Sequence, residues 1–281
     1  MKKSTRVEKA KETLRIIEQG TYQAGDSTID VKKQIDDSIQ NSHLYQPAAL
    51  DQLLNANTNK LAALNYDTEI TVVNNTVLQA GSRLALLGEK TGCLNFASAR
   101  NPGGGFLGGA VAQEESLALS SSLYGSLMAN FDMYEYNRSQ PTLLYSDLMI
   151  WSPEVVMFRN DHGELLEKPY TMSIITSPAA NAGAIRNTRP FEMAEVPAVM
   201  MARTEKVLGL MLHHGMEHLL LGAWGCGVFQ NNPADVAAYF AAFLKPGGKY
   251  ARCFKSVVFA VLDRSDDEKN VSAFKKAFGL Q

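Results

Sequence analysis

The chain has 281 residues, 46% apolar and 20% charged, with a formal net charge of −2. This is an ordinary globular composition, long enough for a sizeable core in one large domain or two small ones. The charge balance excludes an overall basic field for nucleic acid or anionic membranes, so a polyanionic ligand needs a local positive site.

Three cysteines, Cys93, Cys226 and Cys253, lie far apart and form no CxxC. An odd, scattered set fits no disulfide framework, and a reducing compartment is the simpler expectation. The opening MKKSTRVEKAKE has no apolar segment behind its lysines, which argues against a signal peptide. No apolar run reaches the length needed to span a bilayer. The expected location is the cytoplasm, with no membrane partner.

In chain order, Val7, Ala10, Leu14 and Ile17 fall at helical spacing and predict an amphipathic helix over 5–19. Thr5 and Glu8 fit a capping box, and Gly20 fits the stop. Residues 21–65 are polar, with a second helix expected over 31–42. Residues 1–65 are expected to pack as an extension on a main domain of 66–281, because about sixty residues are marginal alone. From Asp67 strands and helices alternate. Strands are expected at 69–73, 93–97, 150–158 (broken by Pro153), 172–176, 218–221 and 257–262. Helices are expected at 76–87, 114–128, 197–215, 233–244 and 266–278. Such alternation predicts an α/β fold, a mostly parallel or mixed sheet with helices on both faces. In such sheets ligands sit beyond the carboxyl ends of the strands. The loops 98–112, 177–186 and 222–232 all leave strands and are expected to line one cleft.

The segment NFASARNPGGGFLGGAVAQEE, Asn95 to Glu115, carries the most chemistry. Gly103, Gly104 and Gly105 follow an apolar strand, and Gln113, Glu114 and Glu115 follow the loop. Glycine lets a chain take positive φ and lie close against a ligand. A carboxylate pair beside such a loop can do acid–base chemistry on what the loop holds. Acidic residues also suit a helix N-terminus without any catalytic role. Adjacent helical residues point about 100° apart, so the two glutamates are expected to meet different atoms. A helix N-terminus lowers the pKa of a carboxyl so placed, whereas burial and a neighbouring carboxylate raise it.

GGG, the seven residues FLGGAVA, then QEE resembles the signature of the poly(ADP-ribose) glycohydrolases. The flanking NFASARNPGGGF and ESLALSSSLY resemble the microbial-type branch. The resemblance covers about residues 65–281. It implies a three-layer α/β/α macrodomain with an N-terminal helical extension, and hydrolysis of the ribose–ribose bonds of ADP-ribose polymer. By the same resemblance Glu115 is the catalytic acid/base and Glu114 orients the ribose beside the scissile bond. The reaction passes through an oxocarbenium-like state and needs neither metal nor cofactor. Asn95 and Asn101 are expected to contact ribose hydroxyls. Gly103, Gly104, Gly105 and Gln113 belong to the binding loop. Asn101 also fits a turn before Pro102, and Phe106 fits either a wall of the site or the core.

A second glycine-rich segment, GAWGCGVFQNNP over 222–233, runs from a strand to a helix opened by Pro233. Its N–H groups suit phosphate oxygens as well as a tight turn. The resemblance makes Gly225, Cys226, Gly227 and Val228 the diphosphate loop and Phe229 the aromatic against the ribose, enforcing cleavage from the chain end. The loop Ser177–Gly183 borders the site or is a plain connection. His213, His214 and His218 do not form HExxH, and no GxSxG accompanies Ser120–Ser122. Trp151 and Trp224 are read as packing residues. Two rival functions stay open: removal of single ADP-ribose units from protein or nucleobase, and non-catalytic ADP-ribose binding. A nicotinamide oxidoreductase fails for lack of GxGxxG. No sequence-specific nucleic-acid contact is expected, and no pattern specifies an oligomeric state.

Overall fold

Continuous apolar runs become strands covered on both faces, because such strands have no solvent side to alternate toward. The computed structural model describes residues 1–281. Its strands are β1 (Thr21–Ala24), β2 (Ser27–Asp30), β3 (His43–Tyr45), β4 (Glu69–Val73), β5 (Thr91–Phe96), β6 (Met149–Arg159), β7 (Leu165–Ser177), β8 (His218–Leu221) and β9 (Ser256–Ala260). The helices are α1 (Lys3–Gln19), α2 (Lys32–Gln40), α3 (Pro47–Ala56), α4 (Thr58–Ala63), α5 (Val77–Ala85), α6 (Gln113–Ser120), α7 (Leu123–Ala129), α8 (Asp132–Ser139), α9 (Ala182–Thr188), α10 (Val196–His213), α11 (Pro233–Leu244) and α12 (Lys269–Phe278). No helix is long and apolar enough to cross a membrane.

The main sheet has seven strands in the order β3-β6-β7-β5-β8-β9-β4. The five from β7 to β4 are parallel, and β6 and β3 complete the edge through antiparallel pairs. Successive side chains point to opposite faces of a strand. Cys93, Ile174 and Leu220 accordingly face a core shared with α5, α6 and α7. Leu94, Ile175 and Leu219 face the other core, shared with α3, α10, α11 and α12. The result is the α/β/α sandwich with a mixed, mostly parallel sheet.

Three local expectations are corrected. The capping box is not formed: α1 begins at Lys3, which places Thr5 inside the helix, and its N-cap Lys2 makes no side-chain bond. Gly20 does end α1 in the left-handed conformation. The helix expected over 114–128 is broken at Ser121 and Ser122. Ser122 exchanges hydrogen bonds with Val156 of β6, its hydroxyl accepting from the Val156 N–H and its own N–H donating to the carbonyl. Serines compete with helix in this way. Pro153 does not break β6; the strand absorbs it in a bulge between Ser152 and Val155.

Within residues 1–65 the chain forms α1 to α4, the β1–β2 hairpin and β3, which joins the main sheet beside β6. The strands there escaped the sequence reading because they are short and polar. Helix α1 lies on the glycine loop: Arg6 Nε donates to the Gly109 carbonyl at 2.7 Å, and Thr13 Oγ1 to the Leu119 carbonyl at 2.6 Å.

Candidate active site

Strands β7, β5 and β8 are neighbours and parallel, so their carboxyl ends lie side by side. The three loops singled out in the sequence leave these ends. Topology thus gathers them into one crevice.

The first loop runs from Phe96 into α6. Gln113 anchors it: Oε1 accepts from the Phe96 N–H at 2.9 Å and Nε2 donates to the Leu94 carbonyl at 2.8 Å. Both ends of its amide are committed to β5, so Gln113 holds the start of α6 against the strand rather than reaching into the cleft. This orientation sets the next two side chains.

Glu114 turns inward and is 3% exposed. Its Oε2 accepts from the Ser98 N–H at 2.6 Å and its Oε1 from Asn95 Nδ2 at 3.2 Å. Burial pushes its pKa up to about 8. The Ser98 N–H and the Asn95 amide oppose that rise, and the Glu115 charge adds to it. Burial therefore prevails over the hydrogen bonds from Ser98 and Asn95, and the Glu114 carboxyl is held well above the usual carboxylate range. Asn95 is itself fully buried, with Nδ2 shared between Glu114 and Thr176 and Oδ1 unpartnered. It orients the carboxyl from beneath, which corrects the expectation that it meets a ribose directly.

Glu115 points the other way and is half-buried. One oxygen, Oε1, accepts from the Gly105 N–H at 2.9 Å. Gly103 and Gly104 have φ of +67° and +61°, and both bring the loop over the carboxylates. A Cβ on Gly104 would overlap Glu115 Oε1 and stand 3.2 Å from Glu114 Oε2. Phe106 is 1% exposed and packs with Ala10, Ala118 and the Tyr124 ring, so it belongs to the core and not to the wall of the site. Asn101 is exposed; its carbonyl closes the turn with the Gly104 N–H, and its Oδ1 accepts from Arg138 Nη2 at 3.5 Å.

The second loop is an anion cradle in form. Gly225 has φ +73°, and a Cβ there would collide with the Ala179 Cβ and the Asn231 amide, both at 2.6 Å. The N–H groups of Gly227, Val228 and Phe229 make no hydrogen bond within the chain. Successive free N–H groups ahead of a helix N-terminus, here that of α11, suit phosphate oxygens. Val228 stands in solvent at 83% exposed. The Cys226 thiol is pushed up to about 12 by burial, so it is no nucleophile. Phe229 is half-buried, its ring 5.9 Å from that of Tyr145 and its carbonyl accepting from the Gly183 N–H at 2.8 Å. The third loop joins the second through Asn231, whose Nδ2 donates to the Ala180 carbonyl at 2.8 Å, and through Trp224, whose indole donates to the Ser177 carbonyl at 3.1 Å.

Several of these residues went unnoticed in the sequence. Ser98, whose N–H holds Glu114, sits in the motif but acts through its backbone. Tyr145, whose ring meets Phe229, comes from a segment without any motif. No group of three or more His, Cys, Asp or Glu side chains converges on a metal-sized site. His214 stacks on Trp151 at 3.9 Å and bonds the Tyr45 hydroxyl at 3.0 Å, a structural arrangement.

A buried carboxyl beside a half-exposed one, where loops leave neighbouring parallel strands of a macrodomain-like α/β/α scaffold, is the pairing of acids that glycoside hydrolysis uses. The profile of the microbial-type PARG catalytic domain matches residues 10–160. Among solved structures, the poly(ADP-ribose) glycohydrolase of Thermomonospora curvata is 44% identical, with a TM-score of 0.92 over 98% of this chain and 100% of its own. That enzyme bound to the inhibitor ADP-HPD gives 43% identity and a TM-score of 0.90 over the same shares. The Deinococcus radiodurans enzyme in complex with ADP-ribose is 39% identical, with a TM-score of 0.83 over 89% of this chain and 98% of its own. No curated protein matches. The chain belongs to the microbial-type poly(ADP-ribose) glycohydrolase family.

Proposed function

We propose that the protein hydrolyses ribose–ribose O-glycosidic bonds of ADP-ribose polymer and releases ADP-ribose, with Glu115 as general acid and then base. The observation that carries this reading is the division of labour in the glutamate pair. Glu114 is buried and tied at both oxygens, whereas Glu115 is half-exposed with only Oε1 engaged. Glu115 protonates the leaving ribose oxygen as the C1–O bond breaks, leaving an oxocarbenium-like sugar. The resulting carboxylate takes a proton from water as its oxygen bonds to C1. Glu114 orients the ribose beside the scissile bond. The free N–H groups of Gly227, Val228 and Phe229 hold the diphosphate, and Phe229 walls the ribose, favouring the chain end.

Residues 1–65 are proposed to extend the catalytic domain of 66–281, with α1 bracing the glycine loop. Substrates are polymer or ADP-ribosylated macromolecules, met in the cytoplasm. The test is incubation with poly(ADP-ribose)-modified protein, following free ADP-ribose by chromatography, beside Glu115→Gln. Release by the wild type alone supports the reading. Equal release by both would remove Glu115 from the chemistry, and no release by either would remove the activity.

A further inference from the structure

A groove of about 760 Å³ opens beside the cleft. Leu144, Ala198 and Val199 give it apolar walls, and two exposed rings stand along it, Tyr136 at 49% and Phe191 at 70%. It meets the active site at two places. Tyr136 lies on α8, where Arg138 donates to the Arg100 carbonyl at 2.7 Å and reaches Asn101 of the glycine loop. Tyr145 lines the groove and carries its ring against Phe229.

The groove is held in shape from below. Tyr145 has φ +59°, a conformation that side chains rarely adopt. The buried Arg203 guanidinium fixes it, donating to the carbonyls of Leu144 (3.1 Å), Tyr145 (3.3 Å) and Pro178 (2.9 Å).

Charge decides what fits. Of the lining carboxylates, Asp147 is paired with Arg203 at 2.7 Å and Lys206 at 2.8 Å, and Glu192 with Arg189 at 2.5 Å. Exposed Glu195 has no ion-pair partner. One free carboxylate among apolar and aromatic groups repels phosphate and accepts from an exocyclic amine. Aromatic rings at such a surface stack nucleobases. The Arg189 guanidinium already lies 4.9 Å from the Phe191 ring centre, on one face.

In ADP-ribose polymer the leaving oxygen belongs to the ribose of the neighbouring adenosine. We propose that the groove receives the adenine of that leaving-side unit, a subsite that one ADP-ribose in the cleft leaves empty. The inference rests on the polymer-hydrolase reading above.

The test uses the full chain with Tyr136→Ala, Phe191→Ala and both together. Release of ADP-ribose from polymer gives KM and kcat, and titration with free ADP-ribose gives the affinity of the catalytic cleft. The double variant should raise KM for polymer about tenfold with kcat unchanged, and bind ADP-ribose like the wild type. An unchanged KM would overturn the subsite, as would an equal loss of ADP-ribose affinity. A wild type that binds ADP-ribose but leaves polymer intact would overturn the parent reading, and this one with it.

Discussion

Gly104 faces the Glu115 carboxylate so closely that no side chain fits between them. The same α-carbon stands over Glu114, so one backbone position roofs both acids. Gly104→Ala meets two penalties, a left-handed φ and a collision with the acid. It should lower kcat at least a hundredfold and stability by about 1–2 kcal/mol. Gly108→Ala is the control, since nothing lies within 4 Å of a Cβ there. Kinetics and thermal unfolding of both variants check this, and a fully active Gly104→Ala would refute it.

Glu115→Gln should lose turnover by about two to four orders of magnitude, the usual contribution of a positioned acid–base group. Affinity for ADP-ribose should stay within a few-fold of wild type. Calorimetric titration distinguishes this from loss of a ligand contact, in which affinity would fall with turnover.

Glu114 should leave a signature in stability against pH. Burial raises its folded pKa from the ordinary 4.5 to about 8, so the folded state keeps a proton that the unfolded chain releases. Its stabilising contribution is full below pH 4.5, falls by at most about 1.4 kcal/mol per pH unit as pH rises, and is gone above pH 8. Glu114→Gln abolishes this dependence. Urea denaturation at pH 5, 7 and 9 should give curves for the two proteins that diverge across that window. Parallel curves would mean that Glu114 ionises normally.

Gln113→Ala strips partners from the Phe96 N–H and the Leu94 carbonyl at the end of β5. Unsatisfied groups of this kind cost about 1–3 kcal/mol. Because α6 loses its anchor, kcat should also fall through the displaced glutamates. A variant as stable and active as wild type would show that the helix holds its place without the amide.

Arg203→Met should be the most destabilising of these substitutions. It leaves Asp147 with Lys206 as its only ion-pair partner and the carbonyls of Leu144, Tyr145 and Pro178 without a donor. Each buried acceptor left unsatisfied costs about 1–3 kcal/mol. Chemical denaturation measures the loss, and a change below about 1 kcal/mol would contradict the role given to Arg203.

Much of the fold was legible because strand and helix periods are written in single residues. His218–Leu221 and Pro233–Leu244 appear in the structure with the expected bounds. The polar hairpin β1–β2 and the three-residue β3 were not legible, since neither carries an apolar alternation strong enough to register. The break at Ser121 and Ser122 was hidden for a different reason. The Ser122 hydroxyl and amide find partners in β6, far away in sequence, and local helix propensity knows nothing of them.

The sequence by itself determined the glycine-rich loops, the paired glutamates and the family to which they belong. These depend on residue type and spacing, which are local. Tertiary structure decided which carboxyl is buried, because burial of Glu114 comes from the packing of β5, α6 and the loop together. It buried Asn95 and Phe106, since the face a side chain presents depends on what covers it. It also brought Tyr145, Tyr136 and Phe191 to the edge of the cleft. Their segments are joined by Asn137, which accepts from the Ser146 N–H, and by Glu192, which accepts from Thr142 and the Leu143 N–H, and neither link is written in the residues nearby.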